Sequence, residues 1–188
     1  MASVPKAHAQ PTPSFATAWG DSGSSRGQFD TPYHMVTDSQ GLIYITDSEN
    51  DRIQVLDTFG NVQNTFGRLG SGQGEFNLPS GIGIDESLNR LYVGDSDNHR
   101  IEIFTLSGNH IGSFGSFGFG EGRLQFPVGI AVDRDHNIYV ADQWNHRIQK
   151  FDSDGKFLKT WGSFGSAIRK FNLPTGLAFN SRNELLVT

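Results

Sequence analysis

The chain has 188 residues, of which 36% are hydrophobic and 19% charged, and this composition is typical of a folded globular protein. Its net charge of −5 and the lack of any run of Lys or Arg argue against a surface that follows a nucleic-acid backbone. The absence of cysteine excludes disulfides, thiol nucleophiles and cysteine-ligated zinc, and no apolar run approaches the length of a membrane span.

The first 14 residues (MASVPKAHAQPTPS) are polar and rich in proline, and they predict a disordered leader or the remnant of a secretory signal. Residues 7–9 (AHA) have the small-x-small form of a signal-peptidase site, although the apolar region that such a peptide needs is missing. On these residues alone we expect an extracytoplasmic protein, either periplasmic or secreted.

After one predicted strand at residues 15–20 (FATAWG), the chain repeats itself every 47 or 48 residues. The repeats fall at about 29–67, 76–115 and 126–162, and a partial repeat follows at 171–188. Each opens with a phenylalanine that precedes a proline: Phe29 and Pro32, Phe76 and Pro79, Phe126 and Pro127, Phe171 and Pro174.

Each repeat contains four short segments rich in β-branched and aromatic residues, separated by turns rich in Asp, Asn and Gly. A four-stranded antiparallel unit with this period is typical of a propeller blade. We therefore predict an all-β protein, a β-propeller with about four blades present and an open or partial ring. The strands predicted for the third repeat are 128–133, 137–142, 147–152 and 157–162, and those for the partial repeat are 175–180 and 184–188.

An aspartate at the end of the second strand is followed five residues later by an arginine at the start of the third, in three repeats. A catalytic site is normally built once, so a triplicated pair favours a structural role. The two residues would face each other across a hairpin, where a guanidinium satisfies the carboxylate and reaches loop carbonyls. The predicted structural pairs are Asp47 with Arg52, Asp95 with Arg100, and Asp142 with Arg147.

These features resemble the NHL-repeat family of β-propellers over about residues 15–188. The resemblance rests on the strand that ends in Asp, on NHRI at 98–101 and 145–148, and on Phe-x-x-Pro-x-Gly at 76–81 and 171–176. Phe126-Pro127-x-Gly129 is a shortened variant, and the first repeat has His34 where later openings have Gly. The resemblance implies a propeller whose complete ring usually has six blades, and it is more specific for fold than for function.

The loops between second and third strands form a predicted rim for a ligand or partner, since loops vary while strands hold the frame. Trp144 is either a binding anchor or a residue packed on the neighbouring blade. The rim histidines are either ligand or metal contacts or loop-packing residues. The predicted rim consists of Glu49, Asn50, Asp97, Asn98, His99, Trp144, Asn145 and His146.

The sequence therefore predicts a non-catalytic NHL-repeat propeller that acts as a protein-binding or assembly scaffold, with open blade edges that invite self-association. We assign no catalytic residue, no metal ligand and no cofactor. The first alternative is a metal-dependent lyase or hydrolase, because some NHL-type enzymes use rim or channel histidines with zinc. Tyr33 and His34, which stand outside the repeated pattern, are the remaining candidates for such chemistry. The second alternative is RNA binding, which the acidic balance disfavours.

Overall fold

The computed structural model describes residues 17–188, so the predicted leader at 1–14 lies outside the described residues. Residues 15 and 16 of the predicted strand at 15–20 also lie outside the described residues, and residues 17–20 do not form a strand. The prediction of a strand was wrong for these four residues. A fourth strand must hydrogen-bond to a third strand of its own blade, and none of the described sheets offers one.

Three complete blades follow, each a four-stranded antiparallel sheet whose strands pair in chain order, and a two-stranded sheet comes last. The propeller prediction is thereby confirmed, and the strands of the third repeat end within a residue or two of their predicted limits. The first blade has β1 (Pro32–Thr37), β2 (Ile43–Asp47), β3 (Arg52–Leu56) and β4 (Val62–Phe66). The second has β5 (Pro79–Asp85), β6 (Arg90–Asp95), β7 (Arg100–Phe104) and β8 (His110–Phe114). The third has β9 (Pro127–Val132), β10 (Ile138–Asp142), β11 (Arg147–Phe151) and β12 (Phe157–Trp161), and the fourth has β13 (Leu177–Phe179) and β14 (Leu185–Val187).

The hydrophobic core lies between successive blades, because each sheet buries one apolar face against the next blade. Tyr44 and Val55 of the first blade pack against Ile82 and Phe104 of the second. Tyr92 and Ile103 of the second blade meet the third in the same way. The part of the chain that the structure describes contains no helix long and apolar enough to cross a membrane.

In the second and third blades, the chain at the start of the first strand approaches the next blade so closely that a side chain cannot stand between them. A Cβ atom added to Gly81 would lie 1.7 Å from the carbonyl oxygen of Val128. His34 occupies the equivalent position in the first blade, where its Nδ1 atom accepts the N–H of Ile82 at 3.4 Å. Burial lowers the pKa of His34.

The opening of the third repeat differs from the sequence interpretation. Leu124, and not Phe126, takes the core position of Phe76, because it is fully buried and forms the same bridge to the loop before it. The opening is therefore a full-length one in which leucine replaces phenylalanine. Phe126 has a φ of 57°, which matches the left-handed backbone of Leu78 at the same position in the second blade.

We expect Gly81→Ala to lower the free energy of unfolding by at least about 3 kcal/mol, because the new methyl group meets a backbone carbonyl that cannot move aside. Gly112→Ala is the matched control, since no heavy atom lies within 4 Å of a Cβ added there. Urea denaturation of both variants measures the difference. Equal stability of the two variants would contradict the close approach of the inner strands.

Candidate functional site

A buried ion pair closes the turn between the second and third strands of every complete blade. In the third blade Asp142 is fully buried at the end of β10, and it lies opposite Arg147 in the β10–β11 register. The Arg147 Nε–H donates to Asp142 Oδ2 over 2.7 Å. The same donor–acceptor distance of 2.7 Å joins Arg52 to Asp47 and Arg100 to Asp95.

Each arginine also holds the loop through which the chain enters its blade. We call these segments, residues 20–31, 67–78, 115–126 and 162–173, the crossing loops. The terminal nitrogens of Arg147 donate to the carbonyl oxygens of Phe119, Gly120 and Arg123 at 2.7, 2.8 and 2.8 Å. Arg52 and Arg100 contact three equivalent carbonyl oxygens each, so the ion pair clamps the loop onto the blade.

The rim asparagines belong to the same clamp. The Asn145 side-chain amide donates to both carboxylate oxygens of Asp142 and to the carbonyl oxygen of Gly118. Asn98 likewise donates to Asp95 and to the crossing loop, and Asn50 repeats the arrangement in the first blade. A contact between these side chains and a partner stays a prediction, but their amide groups already have internal acceptors.

The rim histidines join a blade to the following one. His99 and His146 both have left-handed backbones, with φ of 57° and 52°. The Nδ1 atom of His99 accepts the N–H of Phe126 at 3.2 Å, and that of His146 accepts the N–H of Leu173 at 3.1 Å. In the first blade the Asp51 carboxylate does the same for Leu78. One nitrogen of each imidazole is therefore occupied by a backbone hydrogen bond.

The remaining predicted rim residues point into solvent. Glu49, Asp97 and Trp144 take the same place in their turns, and all three are exposed. The indole of Trp144 stacks on the ring of Phe126 with a centroid distance of 4.6 Å and an interplanar angle of 9°. It is still 47% exposed, so one face packs on the opening of its own blade, not on a neighbouring blade, and the other face is free.

A second set of side chains on this rim was missed by the sequence interpretation. An aromatic residue followed by glycine ends the fourth strand of each complete blade, at 66–67, 114–115 and 161–162. Two residues after these glycines stand Leu69, Phe117 and Phe164, which are 68%, 57% and 68% exposed. Phe119 is 71% exposed beside Phe117. Their regular spacing in the sequence was a signal of a shared role, but it was overlooked because glycine-rich loops are usually interpreted as turns without side-chain function. We call Leu69, Phe117, Phe119, Trp144 and Phe164 the apolar rim.

The clamps support the apolar rim directly. The ring of His99 lies 5.1 Å from that of Phe117, and the ring of His146 lies 4.9 Å from that of Phe164. Arg147 is bonded to the carbonyl oxygen of Phe119. The exposed side chains are therefore mounted on loops with a fixed backbone, which lowers the conformational entropy lost when a partner binds.

The opposite rim, formed by turns between first and second strands, is polar and links neighbouring blades. His136 Nδ1 lies 2.7 Å from an Asp85 carboxylate oxygen, and the Ser87 hydroxyl donates to the other oxygen of that carboxylate. Burial raises the pKa of Asp85, but the bonds to Ser87 and His136 outweigh it and the pKa falls below its usual value. Ser39 donates to Glu86 in the same way between the first two blades.

A cavity of about 660 Å³ lies between the third blade and the two-stranded sheet. Tyr139, Trp161 and Phe179 provide aromatic walls, and Lys150 stands where the first two blades have the buried residues Val55 and Ile103. Its ammonium group lies 3.2 Å from Asp133 and 4.9 Å from the centroid of the Tyr139 ring. The face of this blade is therefore more polar than the faces of the first two.

No three side chains of His, Cys, Asp or Glu come together in a geometry suited to a metal ion within residues 17–188. Tyr33 is half-exposed and His34 is part-buried on β1, and His34 belongs to no such group of three among the described residues.

Comparison with known proteins identifies the kind of propeller. A family model described as "SMP-30/Gluconolactonase/LRE-like region" matches residues 28–188. The comparison with curated proteins gave no significant match.

Solved structures with the same fold include a virginiamycin B lyase from Staphylococcus aureus, which was crystallised with quinupristin. It is 21% identical with a TM-score of 0.63, and the match covers 84% of this chain and 48% of that one. A gluconolactonase from Xanthomonas campestris is 19% identical with a TM-score of 0.63, covering 86% and 55%. A chain of a nidogen/laminin complex is 24% identical with a TM-score of 0.64, and the match covers 80% of this chain and 53% of that one. The chain thus spans about half the length of these structures.

We expect Arg147→Ala to lower the free energy of unfolding by about 3–5 kcal/mol, because it leaves the buried Asp142 carboxylate without its cation. Arg68→Ala is the control, since Arg68 forms an ion pair with Glu75 but is 80% exposed. We expect little change there because solvent screens the pair. Chemical denaturation compares the two, and similar losses would show that the clamp does not hold the blade.

Proposed function

Because the chain belongs to the SMP-30/gluconolactonase/LRE-like family, a β-propeller family related to NHL repeats, we propose that it is a non-catalytic, NHL-like propeller scaffold that binds a protein partner. The binding surface is the apolar rim. The observation that carries the proposal is the recurrence of an exposed apolar side chain at one position of three successive crossing loops.

Several features of the apolar rim favour a protein ligand over a small molecule. Its side chains stand exposed on successive loops, whereas small ligands prefer enclosed clefts. Aromatic residues on a rigid base are the usual anchors of protein interfaces. Contiguous exposed apolar surface on a folded domain commonly marks a site of association. A chain of the nidogen/laminin complex shares the fold, so such a frame can carry a protein partner.

Self-association is part of the same proposal. Trp19, Phe29, Met35 and Ile45 line an apolar cavity of about 280 Å³ on the outer face of the first blade, where Met35 is 63% exposed. This face is equivalent to the one that the second blade buries against the first. A second copy could cover it with the same kind of contact.

An enzymatic function is the second candidate, favoured by the family and by the gluconolactonase and virginiamycin B lyase among the similar folds. The residues of 17–188 do not by themselves assemble a metal-binding group. A stoichiometric divalent metal in the purified protein, together with hydrolysis of a sugar lactone, would favour this candidate over the scaffold.

Selection of peptides from a random displayed library tests the apolar rim. We expect selected peptides to be rich in aromatic and aliphatic residues. We expect Phe117→Ser combined with Phe164→Ser to weaken their binding by about 30-fold, which corresponds to loss of an anchor worth about 2 kcal/mol.

The matched control for this test is Phe59→Ser. Phe59 is 81% exposed but lies in the turn between β3 and β4, on the opposite rim. Fluorescence polarisation with one selected peptide compares the variants. Equal binding by the double variant and the wild type, or equal losses in the double variant and in Phe59→Ser, would overturn the proposal.

Light scattering on the isolated 188-residue chain tests self-association. We expect a dimer or larger species whose mass falls with dilution, and we expect Met35→Glu to shift it to monomer by placing a charge on the apolar face. Ile111→Glu serves as the control, because Ile111 is 49% exposed on β8, away from that face. A wild-type monomer at all concentrations would remove self-association from the proposal.

A further inference from the structure

The second blade departs from the first and third at one fully buried position of its third strand. Gln54 and Gln149 occupy this position in the other two blades. The Gln149 amide donates to the Arg123 carbonyl oxygen at 2.6 Å and to Asp142 Oδ2 at 3.0 Å, and its oxygen accepts the N–H of Gly122 at 3.0 Å. Gln54 makes the same three bonds in the first blade. The glutamine thus ties the crossing loop to the clamp.

In the second blade this residue is Glu102, and an ionised carboxylate cannot donate a hydrogen bond to the crossing loop or to the neighbouring aspartate. Asp95 and Glu102 are both fully buried, and one cation stands beside them. Arg100 Nε lies 2.7 Å from Asp95 Oδ2 and 2.9 Å from Glu102 Oε1, but its single N–H is directed to Asp95. Neither oxygen of Glu102 has a well-oriented donor.

The second blade also carries a histidine where the others have apolar residues. His110 replaces Val62 and Phe157 at the start of the fourth strand, and its Nε2 lies 2.5 Å from Glu102 Oε2. The imidazole packs edge-on against Phe104, and its Cβ lies close to the position of a Cβ on Gly74 in the crossing loop. Two substitutions at contacting positions have therefore replaced a neutral pair by an acid and a base.

We propose that Glu102 and His110 form a proton-dependent latch between the second blade and its crossing loop, residues 67–78. The charged groups that face the pair are Asp95 on β6 and Arg100 on β7, while Glu75 and Arg68 on the loop pair with each other in solvent. One proton shared by Glu102 and His110 balances the buried charges. Without it, two buried carboxylates share one guanidinium, and the hold of Arg100 on the carbonyl oxygens of the loop weakens.

The direction of the pH dependence follows from burial. Burial raises the pKa of Glu102, against the opposing effect of Arg100 and His110, and burial likewise raises the pKa of Asp95. A glutamate with a raised pKa binds its proton more tightly in the folded state. The latch is therefore complete at pH values below the ordinary pKa of Glu, and it weakens as pH rises through the raised value. This inference does not rest on the proposed function, although the loop carries Leu69 of the apolar rim.

Hydrogen exchange of the full chain tests the latch, with rates corrected for the intrinsic effect of pH. We expect protection of residues 67–78 to fall about tenfold between about pH 4, below the ordinary pKa of Glu, and about pH 8. The loop at 115–126, which Gln149 holds in the same molecule, is the internal control and keeps its protection. Glu102→Gln restores the glutamine of the other blades, so its loop 67–78 keeps its protection at both pH values. Loss of protection at high pH in Glu102→Gln, or none in the wild type, would overturn the proposal.

A double-variant cycle provides a second readout. His110→Val alone removes the base, and we expect its thermal midpoint at neutral pH to fall by at least about 2–4 °C. Glu102→Gln combined with His110→Val recreates the Gln54 and Val62 pair of the first blade, and we expect it to recover the loss. Additive effects of the two substitutions would show that the residues act independently and would overturn the latch.

Discussion

The buried carboxylate at the end of each second strand is the group on which the rest of this structure depends. A charge removed from water must be compensated by partners, and Asp142 recruits an arginine, an asparagine, a glutamine and a backbone N–H from three different segments. The asparagine lies in the hairpin turn, the arginine and the glutamine lie on the third strand, and the backbone N–H belongs to the crossing loop. Satisfying one buried anion thereby fixes how the chain passes from one blade to the next.

The frame could be predicted from the sequence because its physical causes are local and periodic. Alternating apolar residues, turn residues and the Asp–Arg spacing recur with one period, so strands and hairpin pairs follow directly. Of the apolar rim only Trp144 was predicted, because it differs from its equivalents Glu49 and Asp97, whereas the exposed residues of the crossing loops do not contribute to the alternating pattern that indicates buried positions. Leu124 was overlooked for Phe126 because residue type was followed more closely than spacing, whereas the core position depends on distance from the proline.

Repetition also shows where the molecule departs from its own rule. Glu102 and His110 are unremarkable as single residues in the sequence, and only the contacts of Gln54 and Gln149 show what they replace. His34 is a second example, because only the glycines at the equivalent position of later blades show that a side chain is unusual there. In a repeated fold, the contacts in one blade show what the equivalent residue of another blade would be expected to contact. A change of residue type at a buried, hydrogen-bonded position then has a free-energy cost that follows from the lost hydrogen bonds.

The position of the clamp within the chain has a consequence for how such proteins grow. Arg100 and Asn98 bind carbonyl oxygens of the loop that precedes their own blade, 25 to 29 residues earlier. The unit that contains a complete clamp therefore begins at the glycine of an aromatic-Gly pair and ends before the next such glycine, so it consists of one crossing loop and the sheet that follows it. Duplication or deletion at those glycines would carry a complete set of donors and acceptors with it, so the number of blades can change during evolution without any blade having to be redesigned.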